Sequence, residues 1–314
     1  MKSFAARRLA GLVATCFITS VVVFGALHLA PGDPVSFLFK GRQPTPQQIA
    51  AVRAHYHLND PLPEQYVLWV KGLFQGNFGQ SIVFDEPVSA LISSRLPTTL
   101  WLVGLASIWT IVLGIWLGAL AARRRGPTDD GIMVLTTIGM ATPSFVLAAV
   151  FIAVFAVDLG WFPVFGAGSG IGSRLDHMFL PSLALALSLV GLVARATRAS
   201  VRQELGRDHV ATAEARGLAP GLIFRRHVLR NSLGPVSTIT GLALASLLAG
   251  TVIIETAFGL NGLGNLLIQS VLNNDFPVVQ AVTLILVVAF VLVNTTADLI
   301  AAAIDPRLRT AKAA

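Results

Sequence analysis

An all-α membrane protein that crosses the bilayer six times is the fold class this 314-residue sequence predicts, and three observations predict it. Hydrophobic residues make up 54% of the chain and charged residues only 12%, where a soluble domain carries roughly a quarter charged. Six apolar runs reach or approach the ~20 residues a helix needs to cross a hydrocarbon core. Lysines and arginines gather at the ends of those runs, where flanking charge sets orientation. The net charge of +7 therefore reads as membrane orientation and not as a nucleic-acid face, because no soluble domain with a basic surface and stacking aromatics accompanies it.

The runs lie near 9–30, 98–122, 131–157, 179–197, 236–256 and 278–301. The first, LAGLVATCFITSVVVFGALHLA, follows Lys2, Arg7 and Arg8 as a secretory signal would. Its apolar part exceeds a signal core and no small-residue cleavage site follows, so it reads as a retained helix. Cys16, the one cysteine, lies inside it and reads as packing, since a single thiol forms no intramolecular disulfide.

The segment 31–97 that follows is too long for a plain turn and reads as a small external cap. It carries the Pro-rich GRQPTPQQ and NDPLPEQ and, in QYVLWVKGLF, a candidate amphipathic helix. The chain thus divides into 1–30 (N-terminal tail and first span), 31–97 and a core over 98–314. Pro143 in the third run lacks an amide hydrogen and predicts a kink, while GMATPSF and GLALASLLAG supply small residues that let helices approach.

Orientation follows the basic residues. With the N-terminus inside, inner segments hold Lys2, Arg7 and Arg8, then Arg123, Arg124 and Arg125, then the polar stretch 198–235, then Arg307, Arg309 and Lys312. The outer segments are poorer in basic residues, with Lys40, Arg42, Arg53, Lys71 and Arg95 spread over one long loop and Arg174 in the next. Both termini are expected in the cytoplasm of a multi-pass inner-membrane protein.

Enzymatic chemistry finds no footing. The histidines, at 28, 55, 57, 177, 209 and 227, form no H-E-x-x-H pair and no cysteine sits at ligand spacing. His55 and His57 are the one pair near enough in sequence to share a metal, and two surface histidines are the plainer reading. GNFGQS and GLNGLG lack the spacing of a phosphate-cradling loop, so the chain is expected to hydrolyse no ATP and to bind no cofactor. An ion-coupled carrier would need charges at mid-membrane. Only Glu255, near the outer end of the fifth run, and Asp298, near the inner end of the sixth, come close. Each reads either as a helix-end charge with a local partner or as a pathway residue. A path without an engine needs a partner to supply work, and that partner must grip the cytoplasmic side.

The stretch 198–235 is where it would grip. Val201, Leu205, His209 or Val210, and Ala213 recur at helical spacing, Asp208 is placed to cap a helix, and Gly217 to end it. Pro220 suits the first turn of a second short helix, PGLIFRRHVLRNSL. The result is helix, tight turn, helix on the inner surface, with Ala211, Thr212, Ala213 and Ala215 small enough for close approach and Arg216, Arg225 and Arg226 able to pair with acids. A basic interfacial helix held by anionic lipid is the alternative, although lipid binding has no use for Gly217.

TAEARGLAPGLIFRRHVLRNSLGPV resembles the cytoplasmic coupling loop of permeases of binding-protein-dependent ABC importers, in the dipeptide, oligopeptide and nickel group. APGDPV (Pro31, Gly32, Asp33, Pro34), GNFGQS at 76–81, PSFVLA at 143–148, ETAFGLNGLG at 255–264, DFPVVQ at 275–280 and DPRLR at 305–309 resemble further signatures of the group in the same order. The resemblance implies the type I ABC importer permease fold and assigns ATPase coupling to Thr212, Ala213, Glu214, Ala215, Arg216 and Gly217. It also implies an outer turn or gate at Glu255, Gly259, Gly262 and Gly264. The superfamily's Glu-Ala-Ala falls here on Ala211, Thr212 and Ala213, so Glu214 and Ala215 only look like it, and Asn261 stands where the group commonly has proline. The implied partners are a second, similar permease, two ABC ATPase domains that use ATP and magnesium, an external substrate-binding protein and the lipid bilayer. The implied cargo is a dipeptide or oligopeptide, with nickel chelate, glutathione or haem as alternatives on the same scaffold. A secondary carrier, a channel and a membrane-bound enzyme are the rival classes.

Overall fold

The computed structural model describes residues 2–29, 45–47, 60–124 and 126–304. His55, His57, Pro31 to Pro34, Arg125 and the terminal 305–309 lie outside the described residues. Ten helices organise the described chain: α1 (Lys2–Leu29), α2 (Leu62–Phe74), α3 (Val88–Arg123), α4 (Pro127–Ala141), α5 (Ser144–Asp158), α6 (Gly170–Leu205), α7 (Asp208–Ala215), α8 (Pro220–Ala257), α9 (Leu263–Leu272) and α10 (Phe276–Ile304). The all-α expectation holds among the described residues. Helices α3, α6, α8 and α10 are each long and apolar enough to cross a membrane, and α4 with α5 makes a fifth, broken span. The apolar part of α1 is described over Leu9–Gly25, a shorter stretch. Of the six expected crossings, four stand outright among the described residues and the broken pair makes a fifth.

Every long helix outruns its apolar run. Helix α3 starts at Val88 and not near 98, because Pro87 at φ −58°, ψ 132° holds the chain extended just before it. Helix α6 covers 170–205 where hydropathy marks 179–197. Polar turns at helix ends project beyond hydrocarbon and carry no apolar signal, so hydropathy reads only the middle of each rod.

Pro143 does more than kink its span. The ring forces the preceding Thr142 into an extended conformation (φ −83°, ψ 121°). Helix α4 ends at Ala141, α5 begins at Ser144, and the two meet at 101°. The last turns of α5, from Ile152, are wound as a π-helix.

The bundle packs α1 on α10, α10 on α8, α8 on α6 and α6 on α3. One face of α3 shows how. Leu102, Ala106, Thr110, Gly114, Gly118 and Ala122, four residues apart, are all buried. Small side chains on this ridge let the α6 backbone approach, as expected where no hydrophobic effect drives helices together in lipid. A Cβ at Gly114 would stand 2.7 Å from Val193, and one at Gly118 would fall on the Ala194 carbonyl. The two small-residue stretches read from sequence also pack: Gly139 meets the Leu187 carbonyl and Gly241 meets Ala297 of α10. Gly118→Ala is expected to destabilise the subunit by about 1–3 kcal/mol through overpacking. Gly104→Ala on the same helix, where a Cβ meets nothing within 4 Å, is expected to stabilise slightly, because alanine is the better helix former. Melting temperatures of the two purified variants in detergent check the opposite signs.

Candidate functional site

One end of the bundle carries a short helix on a hydrophobic seat. Val210 and Ala213 of α7 are buried with Ala122 of α3, Val201 of α6, and Ile223 and Val228 of α8. Helix α7 thus packs on the start of α8 and shares one buried cluster with the ends of α3 and α6. The guanidinium of Arg123 lies 4.6 Å from the centre of the Phe224 ring, joining α3 to α8 beside this seat.

Two backbone bonds close α7. The amide of Gly217 donates to the Glu214 carbonyl at 2.9 Å, and the amide of Leu218 donates to the Ala213 carbonyl at 3.3 Å. Gly217 sits at φ +71°, the left-handed conformation that glycine adopts without a Cβ penalty. The helix stop read at this position is therefore a glycine cap, and nothing lies within 4 Å of where a Cβ would stand.

Three details differ from the expectation. Asp208 is the first residue of α7 and not its cap; Arg207 precedes it and no side chain caps the helix. Asp208 instead places a negative charge in the first turn, where the helix dipole favours it. The second surface helix is not separate: Pro220 opens α8, which runs on to Ala257 through a π-wound stretch over Phe224–Leu229. Pro235, where sequence suggests a boundary, lies inside that helix. Third, Ala213 faces the bundle at 4% exposure, while Thr212, Glu214, Ala215, Arg216 and Gly217 are exposed. The outward ridge of α7 and its cap are the exposed part of the stretch expected to couple, and Ala213 packs against the bundle.

A buried carboxylate beside this seat escaped the sequence reading. Asp129, in the first turn of α4, accepts from Arg198 Nε at 2.6 Å and from Arg202 at 2.5 Å. The two arginines stand four apart on α6, one helical turn. That spacing is the legible signal; the partner, 69 residues earlier, is not. The pair ties the broken span to the rod that leads into α7.

The opposite end, expected outside, holds two more buried carboxylates. Glu255 is fully buried near the end of α8. It accepts from the Thr99 hydroxyl of α3 at 2.7 Å and from the Asn265 amide of α9 at 3.0 Å. The Thr99 oxygen in turn accepts from the Leu263 amide at 2.8 Å. One carboxylate and one hydroxyl thereby satisfy amides that the start of α9 would leave bare. A Cβ at Gly262 would fall on the Glu255 carboxylate, and one at Gly264 would stand 2.6 Å from the Val252 backbone. Gly259, at φ +58°, turns the chain between them. The residues read as an outer turn thus form one knot around the buried Glu255 carboxylate. Asp298 is half-buried in the last third of α10.

Asp275, fully buried just before α10, makes the other knot. It accepts from the Ser81 hydroxyl and from the amides of Ile82 and Val83, each at 3.2 Å. Ser81 belongs to GNFGQS and Asp275 to DFPVVQ, so two motifs 194 residues apart are one structural contact.

A bundle of apolar, membrane-length helices with a short helix seated at one end and a knotted turn at the other suits a transport permease of the inner membrane. The chain belongs to the family described as the binding-protein-dependent transport system inner membrane component, which matches residues 90–310, with the N-terminal component of the same systems matching residues 1–103. It is 39% identical over 311 residues to the glutathione transport system permease protein GsiC of Salmonella choleraesuis, covering 98% of this chain and 99% of that one. The GsiC protein of Escherichia coli K12 is 38% identical over 310 residues, with the same coverage. Among solved structures, an inward-facing MetNI methionine ABC transporter superposes with a TM-score of 0.58 at 18% identity, over 68% of this chain and 96% of that one. An amino acid ABC transporter crystallised with histidines gives 0.53 at 19% identity, over 68% and 94%. The fold is that of ABC importer permeases.

Proposed function

We propose that this chain carries small peptides, glutathione among them, into the cytoplasm as one half of a paired permease. It receives the work of ATP hydrolysis through the exposed ridge of α7. The observation that carries this reading is the seating of α7: Val210 and Ala213 share one buried cluster with three span ends, while Thr212, Glu214, Ala215 and Arg216 face outward. A push on that ridge reaches α3, α6 and α8 together. The peptide class rests on similarity over nearly the whole chain to glutathione permeases.

The remaining parts follow from the same reading. A second permease encloses the pathway, two ABC ATPase domains below bind ATP and magnesium, and an external binding protein delivers cargo and sets most of the specificity. This chain supplies no ATPase site and binds no cofactor. Helix α1 crosses the membrane, both termini lie inside, and residues 31–97 lie outside. ATP binding closes the ATPases, α7 moves with them, and the bundle switches the cavity between its two faces, a coupling between sites through a two-state element.

The test is reconstitution. Proteoliposomes holding the whole complex are expected to take up labelled glutathione only with ATP inside and binding protein outside, and unlabelled dipeptides compete if the pathway is generic. Uptake by the two permeases without ATPases would instead make the chain a secondary carrier.

A further inference from the structure

Helix α2 lies in the segment read as an aqueous external cap, yet its contacts place it beside the apolar stretch of α1. The Tyr66 hydroxyl is 2.7 Å from the Ser20 hydroxyl of α1. The Tyr66 ring packs edge-on against Phe17 and Phe24, and Trp69 lies 5.7 Å from Phe24. Phe17 to Phe24 is seven residues, about 10 Å along a helix at 1.5 Å per residue. Ser20 stands nine residues, roughly 13 Å, short of the end of α1 at Leu29. Helix α2 therefore reaches down along the lipid-crossing part of α1 and does not rest on its tip.

The face of α2 turned away from α1 is unlike a water-facing surface. None of its residues is buried. Val67 is 62% exposed, Leu68 43% and Phe74 90%. Glu64 and Lys71 interrupt this face about two turns apart, and Lys71 stands in the last turn. On α1 the neighbouring surface is equally apolar and bare, with Val13, Val21 and Val22 exposed. The α2 face thus stands next to an apolar helix whose own bare side chains suit lipid and not water.

We infer that α2 is an interfacial helix sunk in the outer leaflet, with Val67, Leu68 and Phe74 among acyl chains and Lys71 reaching up to lipid phosphate. An apolar face with aromatic residues and a basic side chain is the pattern by which helices lie in the headgroup boundary, and lysine stems extend along apolar surface to place their charge at the interface. Phosphate complements Lys71 in charge. The occupant is bulk phospholipid and not a protein partner. This rests on the reading that α1 crosses the membrane.

Cys16 is the chain's sole cysteine, so single spin labels are placed in a Cys16→Ala background that retains uptake, within the reconstituted complex. Labels go at Val67→Cys and Phe74→Cys, at Val22→Cys on α1, and at the exposed Gln80→Cys as the aqueous reference. Collision with oxygen reports lipid and collision with a water-soluble nickel chelate reports solvent. Val67 and Phe74 are expected to match Val22, with chelate contact several-fold below that at Gln80. Chelate contact equal to that at Gln80 makes α2 an aqueous cap and overturns the inference. Low contact with both reagents means a protein covers the face, and also overturns it. Were Val22 itself open to chelate, the crossing of α1 would fall and this inference with it; Val22 in lipid with Val67 in water fails the inference alone.

Discussion

Gly217→Val is expected to abolish substrate-stimulated ATP hydrolysis and to cut uptake at least tenfold, while the subunit stays inserted and binds its partners. The reason is conformational. Gly217 holds φ +71°, where an L-residue costs roughly 1–2 kcal/mol, and a β-branched side chain is worse placed still. Nothing stands within 4 Å of its Cβ, so no clash contributes and the bundle loses no packing. Relief of the strain would come from opening the cap, which breaks the bonds from Gly217 to Glu214 and from Leu218 to Ala213 and lets the ridge of α7 turn on its seat. Gly217→Asn separates this account from one based on size, because asparagine tolerates the left-handed region. It is expected to recover most coupling where alanine recovers less. Basal and stimulated ATPase rates in proteoliposomes, read beside melting temperature, make the check. A valine variant with normal coupling would remove α7 from the transmission path.

Glu255→Ala is expected to cost about 2–6 kcal/mol, because two buried donors lose their acceptor at roughly 1–3 kcal/mol each. The loss strips the acceptor from the Thr99 hydroxyl and the Asn265 amide and leaves a void lined by Gly262 and Gly264. Glu255→Gln keeps the shape and one acceptor oxygen, and its amide can donate to Thr99, which already accepts from Leu263. The glutamine variant should therefore lose about half as much or less. Thermal unfolding of the purified subunit, with limited proteolysis of the outer turn, gives both numbers. Equal stability of the alanine variant and the parent would show that the knot contributes nothing.

The sequence revealed local features and missed distant ones. Gly217 and Pro220 announce a helix stop and a helix start by their own backbone limits, and both stand where chain logic puts them. The length of α8 was not legible, because Pro235 carries a breaker's signature and only the surrounding helices reveal that the rod runs through it. The three carboxylates show the same divide. Asp129, Glu255 and Asp275 each look like a charge near a helix end, and each is buried on partners 69, 156 and 194 residues away. Periodicity reports which face of an element is apolar; it holds no record of which other element will meet it. Of the six residues assigned to coupling, burial now divides Ala213 from the rest, a distinction that small-residue spacing alone does not make.

The two outer knots have a mechanical consequence. Helix α9 is fixed through Glu255 at its start and ends where Asp275 grips the segment before α3, so the outer ends of α3, α8 and α10 are tethered to one another. Helix α8, with 38 residues, is about 57 Å long at 1.5 Å per residue. A rod held at one end is a lever: turning it by about 5° about the tether swings the tip beside α7 by roughly 5 Å, close to one helical pitch. On the proposed coupling, a small tilt at the knotted end corresponds to a displacement of about one helical turn at α7.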